Sequence, residues 1–195
     1  KNTVTAGKDN TEYDSSPQIK FMNIIEMQSS FPLVKIDDEY INFINPKLSL
    51  RYYPTEMKTY SNENRRINND NIFNINRLGL IDTLESGKNL TLGIDYKKEK
   101  LNDINKYFEV NLGTVLRTKS NNKIPSNSTI DQKNSNYFGK LTNSFNDNIS
   151  LDYEFSVDND LKHIEYNSIG ATISKNNFVT KFNFIEENGA IGSSN

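Results

Sequence analysis

The feature that most constrains this chain is a strict two-residue alternation kept up over long runs. In residues 88–96, Leu90, Leu92, Ile94 and Tyr96 face one way and Asn89, Thr91, Gly93 and Asp95 the other. In residues 107–118, Phe108, Val110, Leu112, Thr114 and Leu116 oppose Glu109, Asn111, Gly113 and Arg117, and Val115 is the one apolar residue on the polar side. In residues 149–158, Ile149, Leu151, Tyr153, Phe155 and Val157 oppose Ser150, Asp152, Glu154, Ser156 and Asp158. A period of two is the period of a strand and gives it one apolar and one polar face. The runs reach the ~9–11 residues of a tilted membrane-crossing strand, where globular strands average ~5–6.

The rest of the chain repeats the theme less cleanly. Residues 1–39 form a polar lead-in with a weak first strand between 19 and 34, where Pro32 marks an edge or a bend. Residues 40–195 then form one β-segment. Its first strand, 40–53, is broken by Pro46 and ended by Pro54, with Leu48, Leu50 and Tyr52 against Ser49, Arg51 and Tyr53. Residues 161–174 change phase, with Ile164 and Tyr166 on one parity and Ile169, Ala171 and Ile173 on the other, so a bulge is predicted near Asn167 and Ser168. No helix is convincing. Short turns make consecutive strands antiparallel neighbours. The long connections, 55–87 and 119–135, fall on one side, and the shorter ones, 98–106, 146–148 and 175–177, on the other. That asymmetry is characteristic of outer-membrane barrels. The predicted fold is therefore all-β: an antiparallel up-and-down meander of about eight strands, part of a larger transmembrane β-barrel and an open, curved sheet as a fragment. Tyr53, Tyr96, Tyr107 and Tyr137, near strand ends, are the candidates for an interfacial aromatic girdle. A soluble β-sandwich binding carbohydrate is the contrasting reading, and it requires the apolar faces to be buried against a second sheet.

Composition narrows the chemistry. Hydrophobic residues make up 34% and the mean hydropathy is −0.72, yet 10 Tyr and 11 Phe argue against disorder. A barrel with a wet interior reconciles the two, because only alternate residues need be apolar. The net charge of −2 gives no field for nucleic acid. Without cysteine there is no disulfide, thiolate metal site or cysteine nucleophile, and the lone His163 leaves a histidine metal site or a Ser-His-Asp triad implausible. No catalytic, cofactor-binding or metal-binding residue is assigned. Lys1 is not a natural start, so the chain reads as an internal piece whose lack of a signal peptide says nothing of location.

The stretch 71–87, Asn-Ile-Phe-Asn-Ile-Asn-Arg-Leu-Gly-Leu-Ile-Asp-Thr-Leu-Glu-Ser-Gly, has neither helical nor strand period. Its Asn71, Phe73, Asn76, Arg77, Asp82, Glu85 and Gly87 resemble the Asn-Leu-Phe…Asn-Arg…Gly-Ile-Asp…Glu-Gly-Gly signature of the lipopolysaccharide-assembly outer-membrane proteins, the LptD (OstA/Imp) family. Asn45-Pro46-Lys47-Leu48 and the 135–155 hairpin are similar to further strands of that family, so the resemblance covers roughly residues 40 to 185. This sequence departs from the signature at Gly79, one position early, at Thr83 in place of Arg and at Ser86 in place of Gly. The resemblance implies part of an outer-membrane translocon that inserts lipopolysaccharide into the outer leaflet. It is not an enzyme and takes no cofactor. Its implied partners are lipopolysaccharide, membrane lipids, a lipoprotein plug (LptE-like) and a periplasmic bridge protein (LptA-like) that docks on a missing N-terminal domain. The contrasting barrel reading is a general porin or receptor.

Within the signature, Phe73, Leu78, Ile81 and Leu84 are expected to anchor a structured loop while Asn76, Arg77, Asp82 and Glu85 satisfy its buried backbone groups. The functional alternative is contact with the lumen or the plug. An Arg77–Asp82 or Arg77–Glu85 pair is expected. Asp152 and Glu154 read as a hydrated wall rather than a catalytic pair, His163 as a solvated turn residue, and Arg65-Arg66 as solvated or in contact with lipopolysaccharide phosphates.

Overall fold

The computed structural model describes residues 2–5, 18–187 and 190–193. Among the described residues there are twelve strands: β1 Asn2–Thr5, β2 Gln18–Phe21, β3 Ile25–Ser30, β4 Leu33–Ile36, β5 Tyr40–Tyr53, β6 Gly87–Lys100, β7 Asp103–Arg117, β8 Tyr137–Asn146, β9 Ile149–Val157, β10 Ile164–Lys175, β11 Phe178–Glu187 and β12 Ala190–Ser193. β1 and β2 form a separate two-stranded ribbon. The others make a single antiparallel sheet in sequence order, with β3 and β4 sharing the β5 edge. This is a meander of nine rows. Among the described residues, β12 and the β3–β4 row find no outer partner, so the sheet is open.

Pro46 does not break β5, which runs unbroken over 14 residues. A strand residue directs its N–H and C=O to the same side. The Pro46 carbonyl accepts from the Phe31 amide at 3.0 Å, so its missing N–H faces the β3–β4 row. It falls where that row is itself interrupted between Ser30 and Leu33, and the ladder with β6 is untouched. The charged run 98–106, predicted as a connection, is mostly strand: β6 continues to Lys100 and β7 begins at Asp103. Charge is tolerated there because the strands outrun their apolar section. The phase change lies at Glu165, not at 167–168: Ile164 pairs with Val157 and Tyr166 with Ser156, so Ile164 points outward and Tyr166 inward.

The two faces have opposite fates. Outward, Leu50, Leu92, Ile94, Phe108, Leu112, Leu151, Ile169 and Phe182 are all exposed. Inward, the polar face disappears beneath the two long connections, residues 54–86 and 118–136. Ser49, Arg51, Asn89, Thr91 and Val115 are buried there. The hydrophobic core therefore lies between sheet and loops: Met57, Ile67, Ile72, Leu78 and Leu80 from the first connection, Ile124 and Ile130 from the second, Val115 and Phe138 from the sheet. Among the described residues the apolar faces meet no second sheet, the contact that a soluble sandwich requires.

The outward band has defined limits on β5 and β6. At the loop end the Lys88 ammonium lies 5.1 Å from the Tyr52 ring centroid, and at the other end Lys98 lies 4.2 Å from that of Tyr40. Ten residues at ~3.3 Å each, tilted by ~40°, span about 25 Å, the height of an outer-membrane apolar band. The predicted aromatic girdle needs correction. Tyr96 shares the outward side of β6 with Ile94, and Tyr137 pairs with outward Val157. Tyr53, however, is fully buried with Met22 and Leu84 on the inner side, and Tyr107 is inward, beneath Lys97. The outward aromatics at the ends of β5 are Tyr40 and Tyr52.

Candidate functional site

Glycine lets the first connection seat itself on the sheet. Gly93 and Gly113 pair directly across β6 and β7. A Cβ at Gly93 would lie 2.7 Å from the Phe73 ring, and one at Gly113 would lie 3.0 Å from Ile72 Cδ1. Ile72 and Phe73 thus press into a floor that has no side chains. Phe73 is held further by its carbonyl, which accepts from Gln28 Nε2 at 2.9 Å, and by Lys47, whose ammonium lies 4.8 Å from the ring centroid.

Asparagines shape the turns on either side. Asn71 Oδ1 accepts from the Asn68 amide at 3.0 Å, and its Nδ2 donates to the Arg66 carbonyl at 3.1 Å. Asn76 Nδ2 donates to the Leu80 carbonyl at 2.7 Å, while Asn76 Oδ1 accepts from the Leu80 amide at 3.1 Å. The enclosed Gly79 has φ +65°, the left-handed conformation that glycine adopts without a Cβ penalty.

Beside this turn lies a buried charge cluster. Arg77 grips Glu85 with two nearly parallel bonds, Nε to Oε2 at 2.6 Å and Nη2 to Oε1 at 2.7 Å. Its Nη1 donates to Thr91 Oγ1 at 2.9 Å. Arg117 from β7 donates to the same Glu85 carboxylate and to the Ser86 carbonyl, and Asn89 Nδ2 reaches Glu85 at 3.0 Å. Arg51 from β5 lies 3.5 Å from Glu85, donates to Glu26 of β3 at 2.8 Å and to the Asn74 carbonyl at 2.8 Å. One loop carboxylate thereby ties β5, β6 and β7 together. Burial pushes the Glu85 carboxyl up, but the charges of Arg77, Arg117 and Arg51 and the Arg77 hydrogen bonds outweigh it and hold it below the usual range.

Asp82 has other partners: Lys58 and the Tyr60 hydroxyl both bond to it. Burial raises this carboxyl, and those two contacts bring it below its ordinary value. Of the two alternatives expected for Arg77, a pair with Asp82 or one with Glu85, the structure forms the one with Glu85. Phe73, Leu78 and Leu84 pack into the two cores, whereas Ile81, expected among the anchors, is 79% exposed. Gly87 opens β6 at φ +95°, where a Cβ would sit 3.1 Å from Arg117 Nη2.

Other candidates are placed elsewhere. Arg66 pairs with Glu187 and stacks on Tyr166 with its guanidinium 3.9 Å from the ring centroid, so it is no solvated residue. Arg65 pairs with Glu63 at 2.9 Å. Asp152 accepts from Thr142 at 2.8 Å. Exposed His163 adjoins the turn that Asp158 organises. Sequence reasoning missed Glu26, Arg51, Lys58 and Tyr60 as members of the loop's polar contacts. Only the inward parity of Arg51 hinted at any of them.

The buried charges of this arrangement are spent on one another. It fixes two long loops against one wall of a sheet. The family described as LptD, LPS transport system D, matches residues 2–191. No curated protein matches the sequence. Proteins of that family carry lipopolysaccharide to the outer membrane and are transporters, not enzymes. An all-β open meander whose apolar face turns outward and whose signature loop lines the inner face is what this match leads one to expect: the chain belongs to the LPS transport system D family.

Proposed function

We propose that this segment is a portion of the wall of an outer-membrane barrel that delivers lipopolysaccharide to the outer leaflet. In this reading residues 54–86 and 118–136 form a built-in cap over the outer mouth of the lumen. The observation that carries it is the inversion of the two faces: apolar side chains outward in a band about 25 Å tall, polar side chains inward and buried under the loops. A small-solute porin needs an open lumen, and the Ile72–Phe73 docking fills the inner face of β6 and β7 instead.

The signature residues act structurally in this reading. Asn71, Asn76 and Gly87 set turns, Phe73 seats the loop, and Arg77, Asp82 and Glu85 neutralise buried charge. Lys140 of the wall pairs with Asp70 of the cap at 3.1 Å, and the inner wall beside it stays polar, with Lys47 paired to Asp95 at 2.7 Å and Asn111 donating to Asp95 at 3.1 Å. That surface suits a lipoprotein plug (LptE-like), while the periplasmic bridge (LptA-like) docks on another part of the protein. Depletion of the complete protein is expected to lower surface lipopolysaccharide and leave it in the periplasm and inner membrane, with the protein itself in the outer-membrane fraction. Normal surface lipopolysaccharide on depletion, or a soluble periplasmic protein, overturns the reading.

A further inference from the structure

The outward face is not evenly filled. At its loop end lies a groove of about 600 Å³ whose floor is one cross-strand rung, Met27–Leu50–Leu90–Leu116. The rung above it sets Tyr52 beside Lys88. Lys88 is exposed on this apolar side with its ammonium over the Tyr52 ring. Among the described residues no carboxylate lies within ion-pair distance of it, whereas Lys47, Lys97 and Lys140 on the inner face are all paired. A cation at the rim of an apolar groove, at the height where hydrocarbon gives way to headgroups, is complementary to a lipid with an anionic head.

We propose that this groove binds one acyl chain of a phosphorylated outer-leaflet lipid, with its phosphate on Lys88. The proposal rests on the membrane reading above. The apolar rung supplies chain contact, and the aromatic ring pins the lysine stem so that the ammonium is presented at the boundary rather than swept into water. At the opposite boundary Lys98 and Tyr40 repeat the cation–ring pair away from this groove, whose lining includes neither of them, which makes Lys98 the natural control.

The test uses the complete protein in a background otherwise free of Trp, with Leu116→Trp as reporter, in phosphatidylcholine vesicles. Brominated phosphatidic acid and brominated phosphatidylcholine are compared as quenchers. Phosphatidic acid is expected to reach half-maximal quenching at a mole fraction about fivefold lower than phosphatidylcholine, the factor one surface lysine provides. Lys88→Gln should abolish that preference, and Lys88→Arg and Lys98→Gln should retain it. Equal quenching by both lipids overturns the site while leaving the wall in the membrane. No quenching by either lipid, at Leu116→Trp or at the lower Leu112→Trp, overturns the membrane reading as well. If Leu116→Trp does not assemble, Leu90→Trp on the same rung reports the same comparison.

Discussion

At the scale of single residues, Glu85 is where the buried charge converges. It is 4% exposed, and its acceptor oxygens meet Arg77, Arg117 and Asn89. Glu85→Gln keeps the shape but leaves three guanidinium groups around a neutral amide. Removing one partner of a buried ion pair costs about 3–5 kcal/mol, so the variant of the complete protein should lose its heat-resistant, compact form on unboiled electrophoresis at a markedly lower temperature. The same residue gives a pH dependence. Its folded pKa is held below the usual value, so the unfolded chain takes up the proton first as pH falls. The stabilisation is therefore complete above about pH 4.5, the ordinary carboxyl range, and is lost as pH falls through the folded pKa. Asp82 adds the same sign. Acid unfolding followed by circular dichroism should show a shallower acid limb in Glu85→Gln than in the parent.

At the scale of elements, the contact between loop and sheet is a shape match. Gly93→Ala places a methyl 2.7 Å from the Phe73 ring, and over-packing of this kind costs about 1–3 kcal/mol. Phe73→Leu alone should also destabilise, by loss of ring contact. The double variant should be less destabilised than the sum, because the smaller side chain vacates the space that the methyl needs. Urea unfolding of the four proteins in one double-mutant cycle measures this coupling, and strict additivity would show that Phe73 does not sit on Gly93. The broken outer row obeys a related rule: Pro46 is harmless in β5 because its missing donor faces the gap between β3 and β4.

At the scale of the whole molecule, the sheet is wrapped the opposite way from a soluble protein. Ile94 lies at mid-height of the outward band, 41% exposed, and Ser150 lies on the inner wall between Ser144 and Thr172. Ile94→Arg should cost about 2–4 kcal/mol, the penalty for arginine at the bilayer midplane. Ser150→Arg should stay within about 0.5 kcal/mol, since an inner-wall substitution remains hydrated. Refolding into lipid vesicles, with folded fractions read by gel shift, compares the two. A water-soluble sheet would reverse their order, because each outward charge would then simply be solvated.

The sequence by itself determined which residues share a face, which connections are long and that the fold is an antiparallel meander. Those properties follow from a local period of two and from turn chemistry, which need no distant partner. It also singled out Asn71–Gly87, through its resemblance to a family signature. It did not reveal the partner that buries the polar face. Val115 looked like a lapse in the alternation, yet it is a fully buried core residue under the loops. Tyr53 looked like a girdle residue and is a core one. The bulge was misplaced by two residues because parity alone cannot distinguish Ile164, which points outward, from Tyr166, which points inward. The pairing of Glu85 with Arg77 was legible in the signature, but only the tertiary structure brought Arg51 and Arg117 to the same carboxylate, from as many as 34 positions away in the chain. The reason is that period and propensity act between near neighbours, whereas a buried charge is settled by whatever the folded chain brings within about 3 Å of it.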